Sequence, residues 1–285
     1  MPDATSAELN LFADDTSAYI TDKSPAALQT RLQTVVDELE VWFRKWALTV
    51  NTVKSALMVI GSRCHVLPQL AVSIYGQQIK QVISHKHLGV HLHSNLSWSH
   101  HVAYVVRKAS QRIGLLRRLQ RRLPQLVIRQ IYMTCVRPVL EYAARAWSGV
   151  NAAEAKSLER TQHSAARLIT GTKLSDELPH AILLARAGLE QLRVRRQLSL
   201  LVLARRLRRD PPRAPAHLVS LFQTFSGSAP SSTTMSLRSV SVRLPRPRTE
   251  LFRRSPLYLA FSLQNSLPES VKSSLSALTS YLASL

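Results

Sequence analysis

From Val41 to Leu140 the sequence contains no aspartate or glutamate, although 15 lysines and arginines lie in the same hundred residues. Internal ion pairs cannot neutralise such a segment, so it must fold around apolar side chains and leave its cations at the surface. The rest of the chain does not offset the excess, since the formal net charge is +21. One interpretation is an ordinary solvated face, but such faces normally mix both signs. We therefore expect a nucleic-acid partner, DNA or RNA.

Length and composition narrow the class of protein. With 285 residues, 45% of them hydrophobic, the chain can bury the core of one large domain or of two ordinary ones. No apolar run approaches the roughly 20 residues of a membrane span, and the N-terminus lacks the layout of a signal peptide. We expect an intracellular protein, nuclear or cytoplasmic, that is neither secreted nor membrane-bound. Cys64 and Cys135 are too few for a disulfide framework or a zinc finger.

The first hundred residues alternate between strand and helix signals. The segment "LNLFADDTSAY" (9–19) predicts a tight hairpin. Ser24 and Pro25 suit the N-cap and first residue of a helix that packs on the back of a sheet. Its apolar stripe is Leu28, Leu32, Val35, Leu39, Trp42 and Trp46, which we expect in the core. Short strands are predicted in 55–62 and 87–92, and a hairpin in 70–82.

After Ser97 the pattern becomes helical. The first helix has one apolar face, formed by Val102, Val105, Ala109, Ile113, Leu116 and Leu119. A second begins at Pro124 and must bend or restart at Pro138. A third opens at an Asn151 capping box and closes at Gly171. Further helix is expected over 178–209, then a basic Ser/Pro-rich linker at 223–250 and one or two helices in 251–285.

Adjacent aspartates at a hairpin tip allow two interpretations. Asp14 and Asp15 could simply favour the turn, as Asp commonly does. They could also bind the two Mg²⁺ ions of a phosphoryl-transfer site, because Mg²⁺ prefers carboxylate and phosphate oxygens. The pair alone does not separate these alternatives.

Six segments, taken in order, resemble the reverse transcriptase of non-LTR retrotransposons of the LINE or jockey type. "LNLFADDTSAY" resembles the family's F/Y-A-D-D motif, and Asn51 and Lys54 match an L-x-V-N-x-x-K motif. "KHLGVHLHSNLSWSHHV" (86–102) is similar to the block around the primer grip. Three later segments are similar to helices that follow the catalytic domain and to the C-terminal ending; they are 131–147, 158–171 and 254–282.

This resemblance implies an α+β fold, in which a partial polymerase palm of short antiparallel strands and one helix precedes a mainly α-helical thumb and a C-terminal extension. The implied divisions are half of a palm at 1–95, a helical thumb-like domain at 96–173, a helical extension at 174–222, the basic linker at 223–250 and a helical tail at 251–285. The implied activity is RNA-templated DNA synthesis by two-metal nucleotidyl transfer, with an RNA template and a DNA primer as partners.

The resemblance also implies roles for single residues. Asp14 would be the main Mg²⁺ ligand, with Asp15 supporting the site or the second Mg²⁺. Lys54 would be a general acid near the leaving pyrophosphate, although a solvated lysine between helix and strand is the alternative. The Leu88–Gly89 turn would press on the primer backbone, or serve only as a strand turn.

Basic and histidine-rich segments complete the candidates. The residues expected to bind nucleic acid are Arg107, Lys108, Arg117, Arg118, Arg121 and Arg122. Six histidines also crowd into 17 residues, namely His85, His87, His91, His93, His100 and His101. Their spacing matches no zinc signature, and no cysteine or carboxylate lies near them, so we expect no metal there.

A polymerase of this family needs a third carboxylate, which the sequence does not supply. Only Asp3 and Glu8 precede Asp14 as acids, and both lie within the segment that leads into the hairpin. One hypothesis is therefore a C-terminal fragment of a reverse transcriptase, inactive alone or completed by an N-terminal fragment, without Mg²⁺ on the isolated chain. The alternative is a non-catalytic basic nucleic-acid-binding protein derived from such an element.

Overall fold

A computed structural model of the chain describes residues 7–61, 67–173, 175–209, 218–221, 244–268, 271 and 275–284. The chain forms two compact units, Met1–Ser97 and Trp98–Leu285. The mixture of helices and short strands agrees with the predicted α+β class. Within the described ranges, no helix is long and apolar enough to span a membrane.

The first unit contains one long helix and eight short strands among its described residues. Its elements are β1 (Glu8–Phe12), β2 (Asp15–Tyr19), α1 (Pro25–Lys45), β3 (Ala56–Leu57), β4 (Ser73–Ile74), β5 (Gln77–Gln78), β6 (Lys80–Gln81), β7 (Ser84–His87) and β8 (Val90–His93). They pair in four two-stranded sheets, β1–β2, β3–β6, β4–β5 and β7–β8.

One of these pairs corrects the prediction of antiparallel strands. β3 and β6 run parallel, with Ala56 opposite Lys80 and Leu57 opposite Gln81. The β4–β5 hairpin lies between them in sequence. The other three pairs are antiparallel, as predicted.

Helix α1 begins as its sequence predicts. The Ser24 side chain accepts a hydrogen bond from the Ala27 amide, and Pro25 occupies the first turn. Val36 packs against Val72 and Ile74 of the β4–β5 hairpin. This apolar contact fixes one face of α1 against the hairpin.

Polar side chains of α1 also bind the backbone of the same hairpin. The Gln33 amide donates to the Ser73 carbonyl and accepts from the Ser73 amide, both at 2.9 Å. The Tyr75 amide donates to Glu40 at 2.8 Å. A helix side chain thus takes the place of a neighbouring strand at the outer edge of β4.

Two expectations for this unit were wrong. Trp46 is 60% exposed instead of buried, because α1 ends at Lys45 and Trp46 is already its C-cap. Trp42 is only half-buried. The segment 87–92 is not a single strand, because Leu88 and Gly89 form the turn between β7 and β8. Left-handed backbone at Leu88 and Gly89 interrupts the extended conformation there.

The second unit is helical throughout its described elements. They are α2 (Ser99–Leu119), α3 (Gln125–Ile131), a π-helical segment (Tyr132–Val136), α4 (Arg137–Glu141), α5 (Ala152–Thr170), α6 (His180–Ala187), α7 (Leu192–Arg209), α8 (Glu250–Arg253), α9 (Pro256–Ser266) and α10 (Leu275–Ser284). The bend expected at Pro138 is confirmed. A π-helical turn precedes α4, and Pro138 lies in the first turn of α4.

A single carboxylate joins the starts of α2 and α5. Asn151 and Glu154 form the predicted capping box, in which the Glu154 amide donates to Asn151 Oδ1 at 2.9 Å. The Asn151 amide donates to Glu154 Oε2 at 2.8 Å. The Ser99 hydroxyl, in the first turn of α2, donates to the other oxygen of the same carboxylate.

Three further predictions for this unit have different outcomes. The helix expected over 178–209 is broken, because Gly188 ends α6 with φ 63° and a new helix begins at Leu192. The described residues of the tail form three helices, α8 to α10, where one or two were expected. Most of the predicted linker lies outside the described residues, and only 244–250 can be placed.

Candidate functional site

The two aspartates lie together at the tip of the β1–β2 hairpin. Phe12 pairs with Asp15 across the strands, so the turn consists of Ala13 and Asp14 alone. Ala13 is left-handed, with φ 53°, which a two-residue hairpin turn requires at its first position. Asp14 and Asp15 are both exposed. The hairpin tip therefore presents two adjacent carboxylates to solvent. This exposure agrees both with a simple turn and with a pair of Mg²⁺ ligands.

Glu8 cannot join these carboxylates. It pairs with Tyr19 at the opposite end of the hairpin, about 14 Å along the strand from the turn at 3.4 Å per residue. The Tyr19 hydroxyl donates to the Glu8 carboxylate, and this hydrogen bond, followed by burial and the Glu8 charge, raises the pKa of Tyr19. Glu8 is thus held away from Asp14 and Asp15, while Asp3 lies outside the described residues.

The residues at the tip fit part of a magnesium centre. Carboxylate oxygens are suitable ligands, and Mg²⁺ keeps several waters and substrate phosphates in its coordination shell. Within the described ranges, however, no group of three or more His, Cys, Asp or Glu side chains is arranged to hold a metal. The hairpin can therefore supply two ligands of such a centre, and further ligands must come from elsewhere.

Lys54 follows α1 in a tight turn built by Asn51. The Lys54 amide donates to the Asn51 carbonyl at 3.2 Å and to Asn51 Oδ1 at 3.0 Å. The Ser55 amide also donates to the Asn51 carbonyl. The Lys54 side chain is exposed, and in the part of the chain that the structure describes, no ion pair joins it to Asp14 or Asp15.

Leu88 and Gly89 form the two-residue turn between β7 and β8, with φ values of 46° and 82°. Positive φ at both positions is typical of a type I′ turn, which favours glycine. At Leu88 the same backbone is strained, since a side chain disfavours it by roughly 1–2 kcal/mol. The strained residue thus lies at the tip of the hairpin, where a ligand could contact it.

The pleat separates the histidines of this hairpin. Lys86 pairs with His91 and Ser84 with His93, so His91 and His93 share one face. His85 and His87 lie on the opposite face, because strand side chains alternate. His101 is buried in the other unit, with its ring 4.9 Å from that of Trp147.

Helix α2 presents its cations to solvent. The apolar face was predicted correctly except at its end, because Leu119 is 39% exposed as the last residue of α2. All of the predicted basic residues are exposed, namely Arg107, Lys108, Arg117, Arg118, Arg121 and Arg122. Among the described residues, none of the six forms an ion pair. These cations, which we call the α2 basic cluster, are therefore available to an anionic partner.

Sequence reasoning missed a second set of charged residues in this unit. Arg195 donates to Glu141 and Glu190, and its hydrogen bond to Glu141 is the largest cause of the raised pKa of Arg195. Arg196 stacks on Trp147, with Cζ 4.1 Å from the ring centre. Glu141 and Trp147 are some 50 residues from the arginines that they contact, so no local pattern indicates these two contacts.

Comparison with known proteins finds two similar polymerases, both from Drosophila melanogaster. The chain is 26% identical over 178 residues to the probable RNA-directed DNA polymerase from transposon BS, covering 60% of this chain and 19% of that protein. It is 30% identical over 94 residues to the RNA-directed DNA polymerase from mobile element jockey, covering 33% of this chain and 10% of that protein.

These similarities confirm the resemblance to reverse transcriptases of jockey-like non-LTR retrotransposons. The chain spans about a fifth or less of the length of these relatives. No protein-family model matches it, and no solved structure does.

Proposed function

We propose that this chain is part of the reverse transcriptase of a non-LTR retrotransposon and works inside the cell, in the nucleus or the cytoplasm. Similarity to two RNA-directed DNA polymerases supports the family. The observation that carries the proposal is the hairpin turn that presents Asp14 and Asp15 side by side. An exposed pair of carboxylates at a two-residue turn leaves room for a primer end and a nucleotide.

The proposed chemistry assigns each residue a task. Asp14 and Asp15 hold Mg²⁺ ions, which when bound stabilise the attacking oxygen and the leaving pyrophosphate. Lys54 neutralises charge or donates a proton at the pyrophosphate. The Leu88–Gly89 turn contacts the primer backbone, since the absence of a side chain at Gly89 permits a close approach. The two relevant hairpins then belong to a palm, and α2 to a thumb.

The chain alone is not expected to catalyse synthesis. A third carboxylate must approach Asp14, and Glu8 is held by Tyr19 at the far end of the hairpin. We propose that the missing ligand comes from a segment outside this sequence, such as an N-terminal part of the polymerase. The α2 basic cluster would hold the RNA template and the DNA primer once that segment is present.

A second function is favoured by the α2 basic cluster. Its six exposed cations do not depend on the aspartate hairpin, so they would bind a polyanion even if no catalysis takes place. In this alternative the chain is a non-catalytic nucleic-acid-binding protein derived from a retrotransposon. Both functions predict salt-sensitive binding, and only the first predicts nucleotide incorporation.

Primer extension separates the two functions. The chain is assayed alone, and then fused to the N-terminal part of the jockey polymerase, on an RNA template with a DNA primer. We expect no extension by the chain alone and Mg²⁺-dependent extension by the fusion. Asp14→Ala in the fusion should abolish extension.

Asp22→Ala is the matched control. Asp22 is a surface carboxylate of the same unit whose partner is Arg31, so its loss should leave extension intact. Extension that survives Asp14→Ala would refute the role of Asp14. A fusion that binds the primer and template with no extension would favour the non-catalytic function.

A further inference from the structure

The second unit contains a cavity of about 390 Å³, partly open to solvent, that the polymerase proposal does not use. It lies between α5, α7 and α9, and its size is within the range of small-molecule sites. Most of its apolar lining comes from leucines. The lining residues are Ser148, Val150, Ala155, Glu159, Leu192, Arg193, Arg196, Gln197, Leu200, Leu259, Ser262, Leu263 and Ser266.

Arg196 is the most unusual residue of this lining. Its guanidinium stacks on the fully buried ring of Trp147. The Nε and Nη2 atoms are shielded from water, and among the described residues neither has a hydrogen-bond partner. These two nitrogens form one edge of the guanidinium, the edge that donates two parallel hydrogen bonds to a carboxylate. Burial lowers the pKa of Arg196 to about 10, so the group is still charged at neutral pH.

The same lining contains buried acceptors without a donor. Within the part of the chain that the structure describes, no hydrogen-bond donor reaches Glu159 Oε2 or Gln197 Oε1. The closest ion-pair partner of Glu159 Oε2 is His180 Nε2, at 3.6 Å. Unsatisfied buried groups of both kinds are destabilising, so a ligand that satisfies them would bind favourably.

The charges of the lining limit the type of anion. Arg193 and Arg196 contribute two positive charges and Glu159 one negative charge, which leaves a sum of +1. This balance suits a singly charged carboxylate better than a phosphate dianion. The acceptor at Glu159 further requires an N–H or O–H group near the carboxylate of the ligand.

We propose that this cavity binds an acylated amino acid with an apolar side chain, either as a small molecule or as the C-terminal residue of a peptide. Its carboxylate pairs with the Nε–Nη2 edge of Arg196, and its amide N–H donates to Glu159 or Gln197. Its side chain packs among Leu200, Leu259 and Leu263. Because the Arg196 edge is shielded in the free chain, the Arg196 side chain changes rotamer when the ligand enters and turns this edge towards the carboxylate.

Binding to the full chain tests the proposal, with N-acetyl-L-leucine as the probe and N-acetyl-L-leucinamide as its uncharged match. Calorimetry and thermal unfolding should show binding and a raised Tm for the acid only. Arg196→Met should weaken binding of the acid at least about tenfold, since hydrogen bonds to a charged group are lost. Arg206→Gln, an exposed arginine on the same helix, should leave the affinity unchanged.

A second variant covers the case in which Arg196→Met does not fold. Ala155→Leu fills the cavity without altering Arg196 and should also weaken binding of the acid. Failure of the acid to bind the wild-type chain would mean that the cavity holds only water and would overturn the proposal. Equal binding of acid and amide, or full binding by Ala155→Leu, would overturn it as well.

An otherwise uncharged peptide that ends in leucine identifies the source of the ligand. Competition by the free-acid peptide, with none by its amidated form, would support capture of a protein C-terminus. Binding of N-acetyl-L-leucine without competition by the peptide would support a free acylated amino acid. Both results keep the carboxylate site.

Discussion

Neutralising one end of the α2 basic cluster should change how the affinity for nucleic acid depends on salt. The change replaces Arg117, Arg118, Arg121 and Arg122 with glutamine. All four are exposed and, within the described residues, none forms an ion pair, so their loss should break no internal contact of the fold. The variant should remain folded while it loses four potential phosphate contacts.

The size of the effect follows from counterion release. On duplex DNA each phosphate contact adds about 0.9 to the slope of log K against log salt concentration, so four contacts add about 3.6. Between 50 and 200 mM salt the wild-type chain should then lose about 150-fold more affinity than the variant loses. With fewer contacts the change of slope falls in proportion, and the fold-difference in affinity falls exponentially. The chain rises about 1.5 Å per helical residue, so Arg107 and Arg118 lie about 16 Å apart along the helix axis, and one duplex can contact both.

Fluorescence anisotropy with a labelled duplex, titrated at four salt concentrations, measures the slope. The matched control replaces Lys156, Arg160, Arg186 and Arg206 with glutamine; these four residues are also exposed, and the change in net charge is the same. We expect the control to keep most of the slope. An equal decrease in both variants would show that total charge matters and not its position, and an unchanged slope would place the contact surface elsewhere.

Three further predictions concern stability, and denaturant or thermal unfolding of the full chain measures each. Ala13→Gly should stabilise the first unit by about 0.5–1 kcal/mol, since glycine relieves the left-handed backbone but adds unfolded-state entropy; destabilisation would refute the assigned turn. Asn151→Ala should destabilise the second unit by about 1 kcal/mol through loss of the capping box, and an unchanged free energy of unfolding would contradict this role. Burial, His180 and Arg167 lower the pKa of His163, so the folded chain takes up that proton less readily than the unfolded chain. The free energy of unfolding should therefore fall as the pH drops below about 6.5, and His163→Gln should make this fall shallower; identical pH profiles would contradict the assignment.

Elements with local causes were predictable from the sequence. The N-cap at Ser24, the capping box at Asn151 and the helix end at Gly171 each depend on residues within four positions of one another. The two-residue turn at Ala13–Asp14 is equally local. Short-range chemistry alone decides these features, so a single sequence is sufficient to locate them.

Elements with distant causes were not predictable. The outer edge of β4 is covered because Gln33 of α1 binds the backbone groups of Ser73, and no pattern near Ser73 indicates this. Trp46 continues the apolar spacing of α1, but the helix ends one residue earlier and leaves it exposed. Periodicity identifies a face and does not show how far the face is covered.

The candidate site was also predictable only where its features depend on residues close together in the sequence. The sequence places Asp14 and Asp15 at a hairpin tip and leaves open whether they bind metal. The structure adds that Glu8 is held at the opposite end of the hairpin. The cavity around Arg196 had no sequence signal, because it forms only when α5, α7 and α9 pack together.

The carboxylate of Glu154 also has a consequence for the dynamics of the second unit. It accepts hydrogen bonds from the start of α5 and from Ser99 in the first turn of α2. Opening either helix end breaks a bond of the other, so the two ends should open as one cooperative unit. Amide protons in the first turns of both helices should then exchange with solvent at similar rates. Glu154 would also anchor the start of α2, the helix that leads to the basic cluster, although it lies 55 positions after Ser99 in the chain.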